Sequence, residues 1–173
     1  MRLWLAVLLV LGFADLATAE AGMGDFYGDY TGYGFAEDTT GPFINTERDF
    51  ELSIAPLEPD GFEVSWTTVK RKGDGPNSLE ASISRNAAKF RPSDTPGVYH
   101  AEDNGAPLAG GILSWARLQG DLLTVYRMVV EPSGVPELHV YRRMITAKGL
   151  ELHFTAVRDG KLVRSVRGRY RRQ

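Results

Sequence analysis

Three arginines stand at positions where a β-strand would bury them. Apolar and polar residues alternate in three segments, and Arg127, Arg142 and Arg164 fall in phase with the apolar residues. Alternation with a period of two indicates a strand with one buried face. Because burying an unpaired guanidinium costs several kcal/mol, each arginine needs an anion or water as its partner. The carboxylate or phosphate of a ligand would meet this need through paired hydrogen bonds.

Two alternatives stay open for these arginines. They could reach solvent along their aliphatic stems or pair with internal Glu or Asp residues. The opposite phase is also possible over 122–130, because the other face of that segment is at least as apolar. The hypothesis that we take forward is an internal anion-binding cavity. Its predicted ligand-binding residues are Arg127, Arg142, Arg164, Tyr170, Phe154 and Trp115.

Alternation of this kind recurs along most of the chain. It predicts strands at 26–35, 50–54, 62–68, 98–101, 112–117, 122–130, 138–144, 150–157 and 162–170. The segment 79–91 also fits helical spacing, but we favour a strand because every neighbouring segment is one. Connections this short join antiparallel neighbours. We therefore predict an all-β fold, a single antiparallel up-and-down β-barrel of about 8–10 strands whose first and last strands are adjacent.

Two turns set the predicted register. A three-residue loop ending at Gly160 pairs Val157 with Lys161 and keeps Phe154 and Arg164 on one interior face. The same geometry at the loop that ends at Gly120 pairs Arg117 with Asp121. It then sets Trp115 against Leu123 inside the barrel.

The N-terminal residues 1–19 have the pattern of a cleaved signal peptide. Arg2 precedes an apolar run over 3–13, and Ala17-Thr18-Ala19 supplies a small-x-small cleavage site before Glu20. Asp15 interrupts the run, which is too short for a membrane anchor. We expect a periplasmic or secreted protein whose mature chain, 20–173, is one barrel domain. With no cysteine, disulfides are excluded and stability must come from core burial.

Charge is distributed unevenly along the mature chain. Residues 20–60 carry ten acids and one base, whereas 158–173 carry seven bases and one acid. The two ends could attract each other across the seam that closes the barrel. A basic end can also mark a nucleic-acid or anionic-membrane patch. We predict instead a solvated outer face and no nucleic-acid partner.

Other chemistry has little support in the sequence. His100, His139 and His153 lack metal-ligand spacing, and His139 and His153 fall outside in the predicted register. No Gly-x-Ser-x-Gly elbow occurs, and the predicted positions of Glu137 and Glu151 are outward or in turns. We expect no metal and no cofactor, and whether the protein is an enzyme stays open, with a non-enzymatic role favoured.

Short motifs resemble those of calycin barrels. Gly28-Asp29-Tyr30-Thr31-Gly32 is similar to the first strand of lipocalins, with tyrosine where they carry tryptophan. The hairpin at 117–122 and the ending at 166–172 resemble fatty-acid-binding-protein-like barrels. The resemblance implies a central cavity for small apolar or amphipathic molecules. In that family an Arg-x-Tyr pair holds a fatty-acid carboxylate, but here Arg169 directly precedes Tyr170 and points outward, so that site does not carry over.

The leading functional hypothesis is an exported, non-enzymatic barrel that binds a small amphipathic or anionic molecule. A cofactor-independent isomerase or lyase using cavity Arg and Tyr residues is the alternative, and an envelope structural or interaction role is a third. An integral outer-membrane barrel is disfavoured because such barrels turn apolar residues outward. Here the predicted outward face carries Glu151, His153, Arg167 and Arg169.

Overall fold

The computed structural model describes residues 21–38, 46–72 and 80–173, so the predicted signal peptide lies outside the described residues. Two short 3₁₀ helices span Met23–Phe26 and Pro107–Ala109. Ten strands make up most of the rest: β1 Gly28–Asp38, β2 Thr46–Leu57, β3 Gly61–Lys72, β4 Glu80–Pro92, β5 Val98–Ala101, β6 Leu113–Gln119, β7 Leu122–Val130, β8 Pro136–Thr146, β9 Gly149–Arg158 and β10 Lys161–Arg172.

The strands form a closed antiparallel barrel. Each strand pairs with its neighbours in the chain, and β1 pairs with β10 to complete the ring. The predicted all-β, up-and-down barrel is therefore confirmed, including the strand favoured over a helix at 79–91. No helix within the described ranges is long and apolar enough to cross a membrane.

One end of the barrel is packed shut. The helix Met23–Phe26 places Phe26 inside, where it is fully buried with Phe62 and Phe90. Tyr30 donates a 2.8 Å hydrogen bond to the carbonyl oxygen of Phe26, and Arg172 of the last strand donates one of 2.8 Å to the Tyr30 hydroxyl. Burying each phenyl ring contributes roughly 1.5–3 kcal/mol. This apolar plug leaves the opposite half of the barrel to hold a cavity.

The wall is incomplete beside β4. The strand β5 has four residues and pairs with β4 only at Phe90, Arg91 and Pro92. Among the described residues, the earlier part of β4 therefore has no ladder partner on that side, and Ile83 and Ser84 are exposed. The ladder between the described strands therefore leaves a gap beside this part of β4.

The predicted loop between β9 and β10 was wrong, although its conclusion holds. Asp159 and Gly160 form a two-residue turn with φ of 48° and 72°, the geometry that type I′ hairpins require. Arg158 therefore pairs with Lys161, and a register shift between Leu162 and Arg164 restores the phase. Because of this bulge, Phe154 and Arg164 still face the same interior.

The predicted register of β6 and β7 was also wrong. Gly120 has a φ of 51° and begins a two-residue turn, so Leu118 pairs with Leu123 and Trp115 with Tyr126. The interior face of β7 is as predicted, since Leu123 is fully buried. Trp115 is consequently on the outer face of the barrel.

The phase of β8 is opposite to the prediction. A short turn after Thr146 pairs Ile145 with Leu150, and Ile145 packs against the core. Odd-numbered residues of β8 therefore face inward. Arg143 is completely buried, whereas Arg142 lies on the outer face beside His153.

Candidate anion-binding cavity

A cavity of about 250 Å³ occupies the half of the barrel opposite the 3₁₀ plug. Four arginines line it, and no described lining residue is Asp or Glu. The walls also carry aromatic rings and neutral polar groups. The lining residues are Arg48, Phe50, Trp66, Thr68, Ser84, Asn86, Arg127, His139, Tyr141, Arg143, Leu152, Phe154, Arg164, Val166 and Tyr170.

Four of the six predicted site residues meet in this cavity: Arg127, Arg164, Phe154 and Tyr170. Arg142 and Trp115 do not. Trp115 stacks outside on Tyr126, with ring centroids 4.8 Å apart and planes at 7°. Arg142 borders an outer groove instead.

Arg143 is the most unusual group in the cavity. Its side chain is fully buried, and none of its three guanidinium nitrogens makes a hydrogen bond of normal geometry to a described residue. Burial lowers the pKa of Arg143, and the nearby Tyr170 and Tyr141 hydroxyls offset only part of that effect. A guanidinium offers five N–H donors in a planar fork. Arg143 therefore presents unused donors toward the barrel interior.

Arg127 and Arg143 contact the same aromatic ring. The guanidinium carbons of Arg127 and Arg143 are 5.4 Å and 5.5 Å from the centroid of the same Trp66 ring. Arg127 also donates a 2.6 Å hydrogen bond to Asn86 Oδ1 across the gap beside β4. The Trp66 indole thus makes cation–π contacts with two guanidiniums of the same charge. These contacts stabilise both cations but neutralise neither. An anion bound in the cavity, which both arginines line, would supply the missing negative charge.

The two cavity tyrosines stay neutral. Burial raises the pKa of Tyr170, and Arg143 offsets part of that rise. Burial likewise raises the pKa of Tyr141, with Arg127 and Arg143 acting in the opposite direction. Both hydroxyls keep their protons at neutral pH and can donate to a bound anion.

A histidine and a carboxylate lie where the sequence did not place them. His139 and Glu137 both lie on the interior face of β8, and His139 Nε2 is 2.6 Å from Glu137 Oε1. Arg158 donates a 2.7 Å hydrogen bond to Glu137 Oε2. Burial raises the pKa of Glu137, but the hydrogen bonds from His139 and Arg158 outweigh it, and the net pKa is lowered. Within the described ranges no three His, Asp or Glu side chains are grouped as metal ligands.

Sequence reasoning missed Arg48, Trp66, Asn86, His139, Tyr141 and Arg143 as cavity residues. The available signal was the apolar residue Ile145, which shares a phase with Tyr141 and Arg143 on β8. The two-residue turn before Gly149 pairs Ile145 with the buried Leu150, so Tyr141 and Arg143 also face the barrel interior. Asn86 and Arg127 belong to distant strands, and only the tertiary structure brings them together.

Comparison with the profiles of known protein families and with curated proteins found no match.

Proposed function

We propose that this chain is an exported, calycin-like barrel that binds a small organic anion in its cavity. Arg143 carries the proposal, because a fully buried guanidinium whose three nitrogens make no hydrogen bond of normal geometry to a described residue is costly without an anion. Arg127 supplies a second donor group beside the same Trp66 ring. A carboxylate in the cavity would accept charge-assisted hydrogen bonds from these guanidiniums.

The size and walls of the cavity narrow the ligand class. A volume of about 250 Å³ is near the lower limit of roughly 300–1,000 Å³ for drug-sized ligands. A long-chain fatty acid is a poor fit for this space. Phe50, Phe154 and Trp66 offer apolar surface away from the guanidiniums. We therefore favour a compact carboxylate with an aromatic or short apolar body.

Calorimetric titration with benzoate, indole-3-carboxylate and palmitate tests this proposal, with benzamide as the neutral analogue of benzoate. We expect the aromatic carboxylates to bind and benzamide to bind at least tenfold more weakly, since it lacks the charge. Native mass spectrometry of protein from its own host would show whether a small anion copurifies. Equal binding of benzoate and benzamide, or no binding of any carboxylate, would contradict the proposal.

The pair formed by His139 and Glu137 favours an isomerase or lyase as the second candidate. A carboxylate that holds a histidine beside bound substrate is a common general-base arrangement. His139 is the cross-strand partner of Arg127, so a base would lie next to the proposed anion site. Incubation of a bound carboxylate in D₂O, followed by NMR, would detect exchange at carbon. His139→Asn should abolish that exchange and preserve binding, whereas absence of exchange supports the binding role alone.

Export belongs to the same proposal. The apolar run and the Ala17-Thr18-Ala19 site support cleavage before Glu20. N-terminal sequencing of protein recovered from the periplasm or medium should begin at Glu20. Protein that begins at Met1 in the cytosolic fraction would contradict export and leave the cavity proposal untouched.

A further inference from the structure

Basic side chains form a row across the outside of the barrel. The ladder pairs Arg142 of β8 with His153 of β9, and His153 is followed by Arg167 of β10. Adjacent strands lie about 4.8 Å apart, so these three side chains are close neighbours on one surface. Arg142 and Arg167 flank His153 from its two neighbouring strands and carry the same charge. Neither Arg142 nor Arg167 has an ion-pair partner among the residues that the structure describes.

Exposed apolar side chains border the same row. Phe35 of β1 is the ladder partner of Arg167 and is 53% exposed. Tyr33 is exposed to the same extent, and Met144 is 47% exposed. These residues and the basic row line one outer groove, and Glu151 is the only acidic side chain among the described residues that line it. Glu151 lies 3.5 Å from Arg169, the next arginine along β10.

The neighbouring strand carries the opposite charge. Glu47 and Asp49 of β2 pair across β1 with Phe35 and Tyr33. Phe35 and Tyr33 of β1 therefore lie between the acidic residues of β2 and the basic row. A barrel with charge separated in this way is oriented by an external field, so that its basic side turns toward a negative surface.

We propose that this face, formed by Arg142, His153, Arg167, Phe35, Tyr33 and Met144, docks on an anionic lipid bilayer. Arginines meet lipid phosphates with paired hydrogen bonds. Exposed aromatic and Met side chains can insert at the boundary between the lipid headgroups and the acyl chains. A soluble polyanion has no such apolar layer, so these side chains favour a membrane. Burial and the positive charges of Arg167 and Arg142 lower the pKa of His153, so the two arginines supply the positive charge of this face at neutral pH. The proposal concerns the outside of the barrel and does not depend on the cavity ligand.

Vesicle cosedimentation of the purified protein tests the docking. We expect binding to vesicles that contain phosphatidylglycerol, weak binding to phosphatidylcholine alone, and loss of binding as salt is raised. Arg142→Gln and Arg167→Gln should each weaken binding roughly fivefold. Arg85→Gln is the matched control, because Arg85 is an exposed arginine on β4, away from this row. Phe35→Ser should weaken binding, while Ile83→Ser, at a residue 51% exposed on β4, should not.

Several results would overturn the inference. Equal binding to neutral and anionic vesicles would remove the role of the arginines. Equal loss of binding in Arg85→Gln and Arg167→Gln would mean that vesicle binding depends on the net charge of the protein and not on this face. Retention on polyglutamate without vesicle binding would assign the face to an acidic polymer instead of a membrane. Circular dichroism of each variant confirms that the barrel remains folded.

Discussion

Arg142 and Arg143 are consecutive in the chain and lie on opposite sides of the barrel wall. Arg143 is fully buried at the cavity, and Arg142 borders the outer groove. Strand geometry imposes this separation, because successive side chains point to opposite faces. The pair gives a matched comparison in which the same residue type serves an interior and an exterior site.

Replacing Arg143 should separate stability from binding. Arg143→Met keeps much of the side-chain volume and removes a buried charge, so the ligand-free protein should be stabilised by about 1–4 kcal/mol. Binding of benzoate should weaken by about 1.5–3 kcal/mol, the value of a hydrogen bond to a charged group. Urea unfolding and calorimetry measure the two effects.

Arg142→Met is the control for that variant. Its exterior position predicts little change in benzoate affinity. If both variants lose affinity equally, the cavity is not the binding site. If Arg143→Met binds benzoate as well as the wild type, the guanidinium does not hold the anion.

Glu137 should make stability depend on acid pH. Its folded pKa is below the ordinary 4.5, so its contribution is present above 4.5 and is lost as pH falls through the folded value. We expect Glu137→Gln to lower the unfolding free energy by about 1.5–3 kcal/mol at neutral pH. That difference from wild type should shrink below pH 4.5.

Urea titrations on both sides of pH 4.5 measure the effect. Glu151→Gln is the matched control, because its pair with Arg169 is exposed and such pairs contribute about 0–1 kcal/mol. A difference between wild type and Glu137→Gln that stays constant down to the lowest pH at which the barrel folds would contradict the assignment.

Most of the fold could be predicted because alternation and short connections are local signals. The strands β6 to β10 were expected nearly where they lie, and closure of the barrel followed from the need to cover edge strands. Turn type was harder. Asp159 adopts a positive φ, and the compensating bulge near Val163 leaves little trace in the sequence. The shorter turn and the bulge shift the register in opposite senses, and the two shifts cancel. The predicted placement of Phe154 and Arg164 on one interior face is correct for that reason.

The cavity was only partly predictable because the phase of β8 is ambiguous. Leu138, Val140 and Met144 are more apolar than most of the β8 residues that actually face inward. The turn before Gly149 decides between the two phases, through Ile145 and Leu150. Contacts between distant strands, such as the one from Arg127 to Asn86, have no local signature.

Gly160 should be required for its backbone conformation alone. A Cβ at Gly160 would meet nothing within 4 Å, yet its φ is +72°. Gly160→Ala should therefore destabilise the barrel by about 1–2 kcal/mol through strain. Gly24 is the control, because it also has open space for a Cβ but no positive φ. Equal effects of the two alanine variants in thermal unfolding would show that the turn is not strained.

Arg164 and Arg169 provide the last comparison, because both lie on β10 and only Arg164 lines the cavity. The side chain of Arg169 is 78% exposed and lies 3.5 Å from Glu151 on the outer face. Arg164→Ala should weaken benzoate binding by about 1.5–3 kcal/mol, and Arg169→Ala should leave it nearly unchanged. Calorimetry at matched ionic strength measures both, and urea unfolding shows whether either variant is destabilised. A loss of affinity in Arg169→Ala as large as that in Arg164→Ala would mean that the overall positive charge of the protein attracts benzoate. No loss of affinity in Arg164→Ala would mean that Arg127 and Arg143 hold the anion without Arg164.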